Sequence, residues 1–135
     1  MKSKLTFVLA AAAAAFAGVA KAEPKAEVLH WWTSGGEAKS VAVLQKEFAS
    51  RGGEWTDMPV AGGGGDAAMT ALRARVLSGN APTAVQLKGP AIQEWYEEGA
   101  LSDISSVAKK HGWGDVLPAS IAGHMKCDNG KAYCA

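Results

Sequence analysis

His30-Trp31-Trp32-Thr33-Ser34-Gly35-Gly36-Glu37 is the stretch on which the reading of this 135-residue chain turns. A short apolar run, Val28-Leu29, leads into it and a helical pattern leaves it. Paired indoles therefore stand where a strand ends, small residues turn the chain, and a carboxylate opens a helix. Open α/β sheets bind ligands at such strand-to-helix turns, outside the carboxyl ends of the strands. Neighbouring strand residues point to opposite faces. At most one of Trp31 and Trp32 then packs under a helix, leaving the other free to project over the sheet edge. The plain alternative is that both are core, because Trp is well buried on average.

Working outward, Glu27–Trp32 reads as a first strand, and Ser34 with Glu37 matches a capping box at the start of the next helix. Val41, Leu44 and Phe48 mark one face of that helix, and Arg51-Gly52-Gly53 ends it. Glu54–Val60 is a second strand, and Pro59 assigns it to an edge or to a strand end. Ala61–Gly65 is a glycine turn, Asp66 is placed as N-cap, and Met69, Leu72 and Val76 line a second helix. Thr83–Leu87 is a third strand, followed by Lys88-Gly89-Pro90 and a helix carrying Ile92, Trp95 and Tyr96. Ser105 caps a brief helix to His111, Leu117, Ile121 and Met125 repeat at helical spacing, and Asn129-Gly130 is a hairpin turn. Strand and helix alternate three times, which predicts an α/β fold with a mainly parallel sheet flanked by helices.

Residues 1–22 stand apart. Lys2 and Lys4 precede an apolar run from Leu5 to Ala20, and Ala20-Lys21-Ala22 is a small-x-small cleavage site. The run is too short and too rich in alanine for a membrane span. Residues 1–22 are thus a cleavable signal peptide, and 23–135 form the exported domain. The net charge of +1 and the lack of a basic run argue against nucleic acid. Export permits a disulfide between Cys127 and Cys134. An Asn129-Gly130 turn, however, sets Cys127 opposite Ala132 and only diagonal to Cys134, a geometry unfavourable for bridging. The pairing stays open. Two thiols with no nearby His do not make a zinc site.

Three polar or aromatic groups gather at the carboxyl end of the predicted sheet. One of the indoles Trp31 and Trp32 can stack on the apolar face of a sugar ring. Glu37 can accept charge-assisted bonds from hydroxyls, although capping alone explains it. Lys88, just past the third strand, can donate to hydroxyl oxygens, although a solvated turn lysine is the simpler reading. The glycines at 62–65 do not complete a nucleotide loop: no Lys-Ser/Thr follows, and Ala67 stands where a third glycine belongs. No cofactor is expected. No G-x-S-x-G elbow occurs, and Glu97-Glu98 reads as a solvated helix end.

The residues Glu27–Glu37, Trp55–Gly65, Leu72-Arg-Ala-Arg-Val76 and Gly79–Leu87 together resemble the periplasmic sugar-binding proteins of ABC transporters, with the glucose/mannose type most similar. The resemblance covers nearly the whole chain after the signal peptide. It implies a periplasmic binding protein-like fold of two α/β lobes around a cleft, with residues 23–135 forming an incomplete N-terminal lobe. The chain ends just after a predicted return strand and reads as the front portion of a longer protein. It also implies a monomeric periplasmic protein, not an enzyme, that delivers a monosaccharide to a membrane permease. Trp31, Trp32, Glu37 and Lys88 match the cleft positions of such proteins. Two other readings remain: an exported carbohydrate-active enzyme with a Trp-walled cleft, which would need a carboxylate pair flanking a bond, or a truncated member of the family that binds nothing.

Overall fold

The computed structural model describes residues 23–134; the predicted signal peptide lies outside the described residues. Three parallel strands form the sheet in the order β2-β1-β3, with β1 (Lys25–His30) in the middle, β2 (Glu54–Pro59) on one side and β3 (Ala84–Val85) on the other. Helix α1 (Gly35–Ser50) connects β1 to β2, and a glycine turn with α2 (Asp66–Leu77) connects β2 to β3. The α/β architecture read from the alternating pattern is the one observed. Pro59 is the last residue of an outer strand, where its missing N–H costs no ladder bond.

Alternation along β1 sends Leu29 to the face covered by α2 and by α3 (Ala91–Glu97). Leu29, Leu72 and Trp95 are buried there, with Met58, Met69, Val76 and Val85 packed around them. The bidentate pair of Arg75 with Glu27, at 2.9 and 2.6 Å, and the Arg75 Nε–H bond to the Asn80 carbonyl tie the end of α2 to the start of β1. The other face of β1 is flanked loosely by α1, which ends where Gly52 turns at φ +79° and the Gly53 N–H bonds the Phe48 carbonyl.

Several local expectations are corrected. The capping box at Ser34 and Glu37 is not formed: Ser34 occupies the N-cap position but its hydroxyl makes no cap bond. Gly35, the first helical residue, has φ +57°, so the opening turn lacks the regular helical geometry that a capping box needs. Asp66 is not the N-cap of α2. Gly65 holds that place with φ +115°, because the chain there passes under the Trp31 ring, where a Cβ would lie 3.2 Å from ring atoms. The third strand is shorter than expected, since it pairs with β1 through only two residues. The helix predicted through Leu117, Ile121 and Met125 is broken. After α4 (Ser105–Lys110), α5 (Trp113–Val116) stops before Leu117, which is extended at ψ 130° because Pro118 follows it, and α6 (Ala119–His124) starts afresh.

Strands β4 (Lys126–Cys127) and β5 (Ala132–Tyr133) form the expected hairpin. Asn129 and Gly130 both have positive φ, and the Lys131 N–H bonds the Asp128 carbonyl. Cys127 does face Ala132. The objection drawn from that register fails nonetheless: Cys127 and Cys134 are joined in a disulfide, with Cα atoms 6.1 Å apart, inside the ordinary bridging range. Cys134 is drawn in by an antiparallel bridge to Asp103 and by its N–H bond to the Met125 carbonyl. The bridge packs with Ala132 against Ile92, Tyr96 and Leu101.

Candidate functional site

At the carboxyl end of β1 the chain stops pairing and the two indoles part. The Trp31 N–H donates to the Gln86 side-chain oxygen at 3.1 Å, which fastens the strand end to the segment leaving β3. The Trp31 ring lies on the α2 side, over Gly65, with the Lys88 ammonium 5.7 Å from its centroid. Lys88 Nζ also donates to the Gly64 carbonyl at 2.8 Å. Three separate segments therefore meet around one indole: the end of β1, the glycine turn before α2, and the segment after β3. The glycines matter through their size, since Trp31 rests where any larger residue at 65 would stand.

Trp32 faces the other way. It lines a cavity of about 260 Å³ on the α1 side, together with His30, Thr33, Gln45 and Asp57. His30 is 4% exposed and its Nε2 lies 2.9 Å from Asp57 Oδ1, which also accepts the Trp55 indole N–H at 3.0 Å. Burial pushes the Asp57 carboxyl up, but the hydrogen bonds from Trp55 and His30 outweigh it and hold the group below its ordinary range. Asp57 is thus a carboxylate that orients both rings beneath Trp32. His30 Nδ1 is buried and has no hydrogen-bond partner among the described residues.

Of the four residues singled out from the sequence, the structure brings Trp31 and Lys88 together and sets Trp32 on the opposite side of the strand end. Glu37 stands exposed in the first turn of α1. Sequence reasoning missed Gln86, His30 and Asp57. A signal for the last two existed: period-two alternation places Val28, His30 and Trp32 on one face of β1, and Trp55 and Asp57 on the same face of β2. Gln86 had no such mark, because its role is to hold a backbone N–H of another segment.

Chemically, the edge offers an indole face, an ammonium whose remaining N–H groups can donate, and an exposed carboxylate that can accept. Such a set suits a neutral ligand with apolar ring faces and several hydroxyls.

No protein-family model matches the chain. Curated relatives do. A protein of Brucella melitensis named "Probable sugar-binding periplasmic protein" is 55% identical over 130 residues, 93% of this chain and 31% of that protein. A protein of the same name from Rhizobium meliloti is 53% identical over 128 residues, 95% of this chain and 31% of its own length. Another from Mesorhizobium japonicum is 48% identical over 107 residues, 79% of this chain and 26% of that protein. The chain thus spans about a third of the length of the curated relatives it matches. Identity at this level across nearly all of the chain, on the α/β fold described above, makes the chain a homologue of the sugar-binding periplasmic proteins that carry this name.

Proposed function

We propose that this polypeptide supplies part of the binding cleft of a periplasmic protein that takes up a monosaccharide of the glucose or mannose kind and hands it to the permease of an ABC transporter. Trp31 and Trp32 would wall the cleft, Lys88 would donate to ring hydroxyls, and Glu37 would accept from them. The observation that carries the reading is the convergence of Lys88, Gly64 and Gly65 on Trp31 at the sheet's carboxyl edge. The relatives' names supply the sugar and the compartment. Residues 1–22 fit the same picture as a leader removed on export. A binding role suits this edge better than an enzymatic one, because the relatives' names describe binding and not catalysis.

A cleft of this kind closes around its ligand from two sides, and the described residues contribute one. The mature chain alone is expected to show no saturable change in tryptophan fluorescence on glucose titration; a clear micromolar titration would refute the need for a second wall. In a chain extended to the relatives' length, Trp32→Ala should weaken glucose binding by at least about tenfold, or 1.4 kcal/mol. Its unfolding midpoint should hardly move. Calorimetry showing unchanged affinity for glucose and for mannose would remove Trp32 from the site.

A further inference from the structure

Two cores meet at α3. Its Trp95 enters the core of the sheet, whereas Ile92 and Tyr96 pack against the cluster formed by Cys127, Ala132 and Cys134, and Leu101 touches both. Beyond Leu101, the hydrogen bonds of residues 103–134 stay within that stretch among the described residues. The long-range ones converge on two neighbouring positions. The Ile104 N–H donates to the Tyr133 carbonyl at 2.8 Å, and the Ser105 hydroxyl accepts the Tyr133 N–H at 2.9 Å. The Met125 carbonyl accepts the Cys134 N–H at 3.1 Å, Asp103 forms a bridge to Cys134, and the Trp113 ring meets Tyr133 edge-on. Little else holds the stretch. Helices α4, α5 and α6 have six, four and six residues. Isolated helices shorter than roughly 12–15 residues are marginal in water. Strands β4 and β5 have two residues each, and a lone hairpin is no better. The buried residues of the stretch are Ala108, Ala132 and the two bridged cysteines, so its own apolar burial is small apart from the bridge.

We propose that residues 103–134 form a unit whose folding is conditional on the Cys127–Cys134 bond, and that breaking this bond opens the unit while the parallel sheet stays formed. The bond fixes Cys134 beside β4, and with it the place where the contacts of Asp103, Ile104, Ser105 and Met125 end. It also closes a short loop and so removes conformations from the open chain. Thiols stay reduced in the cytosol and pair in oxidising compartments, so the unit closes only in the latter. In the closing step Cys127 and Cys134 give up two protons and two electrons to a disulfide oxidant. One S–S bond forms, the S–S bond of the oxidant breaks, and the oxidant leaves as two thiols. With Cys127 and Cys134 0% and 3% exposed, a reductant reaches the bridge only when the unit opens. The proposal does not rest on the sugar reading.

The test uses the mature chain, oxidised with glutathione disulfide and then reduced with dithiothreitol. Amide hydrogen exchange is followed by NMR at Ile104, Tyr133 and Cys134 in the unit, and at Val60 and Gln86, whose N–H groups bond the His30 and Leu29 carbonyls of β1. Reduction should speed exchange at the first three by about tenfold or more and change the last two by less than about twofold. A variant carrying both Cys127→Ala and Cys134→Ala should match the reduced chain with no reductant present, which separates loss of the bond from any effect of the reagent. Protection at Ile104, Tyr133 and Cys134 that survives reduction would overturn the proposal, because packing alone would then hold the unit. Equal losses at Val60 and Gln86 would overturn it too, since the chain would be one cooperative body. So would an oxidised chain with no protection at the three unit amides.

Discussion

The two faces of β1 are built from alternate residues of one six-residue strand, yet one is sealed and the other is open. Leu29 meets Leu72 and Trp95 and is fully buried. Val28, one residue earlier and on the opposite face, looks into a groove beside an exposed Leu44. The helices differ in how they reach the strand. Helix α2 presents Ala68 and Leu72 to the sheet, both buried, and is clamped at its end by the Arg75–Glu27 pair. Helix α1 shows the apolar stripe predicted for it, but Leu44 in that stripe is exposed and Val41 and Phe48 are only partly covered. An amphipathic face thus marks where apolar contact is wanted; it does not guarantee that this chain alone provides all of it. The candidate site straddles the same divide, with Trp31 on the sealed side and Trp32 on the open side.

The comparison is most easily broken in the sealed core. Leu72→Ala should cost about 2–5 kcal/mol, as buried leucine truncations do. Leu44→Ala on the open face should cost no more than about 0.5 kcal/mol, the usual range for exposed positions. Urea denaturation of the mature chain measures both, and equal losses would mean that the two faces are not different after all. Next in size is Gly65→Ala. It forces a side chain into φ +115° and against the Trp31 ring, and should cost about 1–3 kcal/mol. The near-ultraviolet circular dichroism of Trp31 should change with it; an unaltered spectrum would show that the indole does not depend on the glycine.

On the open side, Glu37→Gln should leave the unfolding midpoint unchanged, because no cap bond from Ser34 stabilises the start of α1. In a chain of the relatives' length the same change should weaken glucose binding several-fold by calorimetry. Lost stability with unchanged affinity would return Glu37 to a structural role. The smallest effect concerns pH. The hydrogen bond from Arg75 holds the Glu27 carboxyl below its ordinary range, against a smaller opposing effect of burial. A carboxylate with a depressed folded pKa contributes stability that is present above its unfolded value and lost as pH falls through the folded one. Stability of the mature chain should therefore decline below the ordinary glutamate range near pH ~4.3, and Glu27→Gln should flatten part of that decline. An identical pH profile for the variant would show that the pair has no such role.

Much of the fold could be read from residue patterns because those patterns are local. The strand-helix order, the Pro59 edge and the Asn129-Gly130 turn each follow from a few adjacent residues. The errors arose where backbone angles or distant partners decide. The positive φ of Gly35 removes a capping box that the residue types spell out correctly. A proline two residues past α5 splits a run with faultless helical spacing. Asp103, far from the hairpin in sequence, helps to bring Cys134 within reach of Cys127. In the candidate site, residue type alone pointed to Trp31, Trp32, Glu37 and Lys88. The supporting contact of Gln86 comes from elsewhere in the chain and left no mark at the position it serves, whereas that of Asp57 with His30 was legible only through strand alternation.

By itself, the sequence determined a parallel α/β sheet, the parting of the two tryptophans at a strand end, and the chemistry available at that edge. These follow from side-chain periodicity and from residue type, which are properties of short stretches. Only the tertiary structure decided that Lys88 and the glycine turn share Trp31, and that one face of β1 is sealed while the other is open. Such facts depend on how closely helices approach the sheet, a balance of packing between segments far apart in the chain.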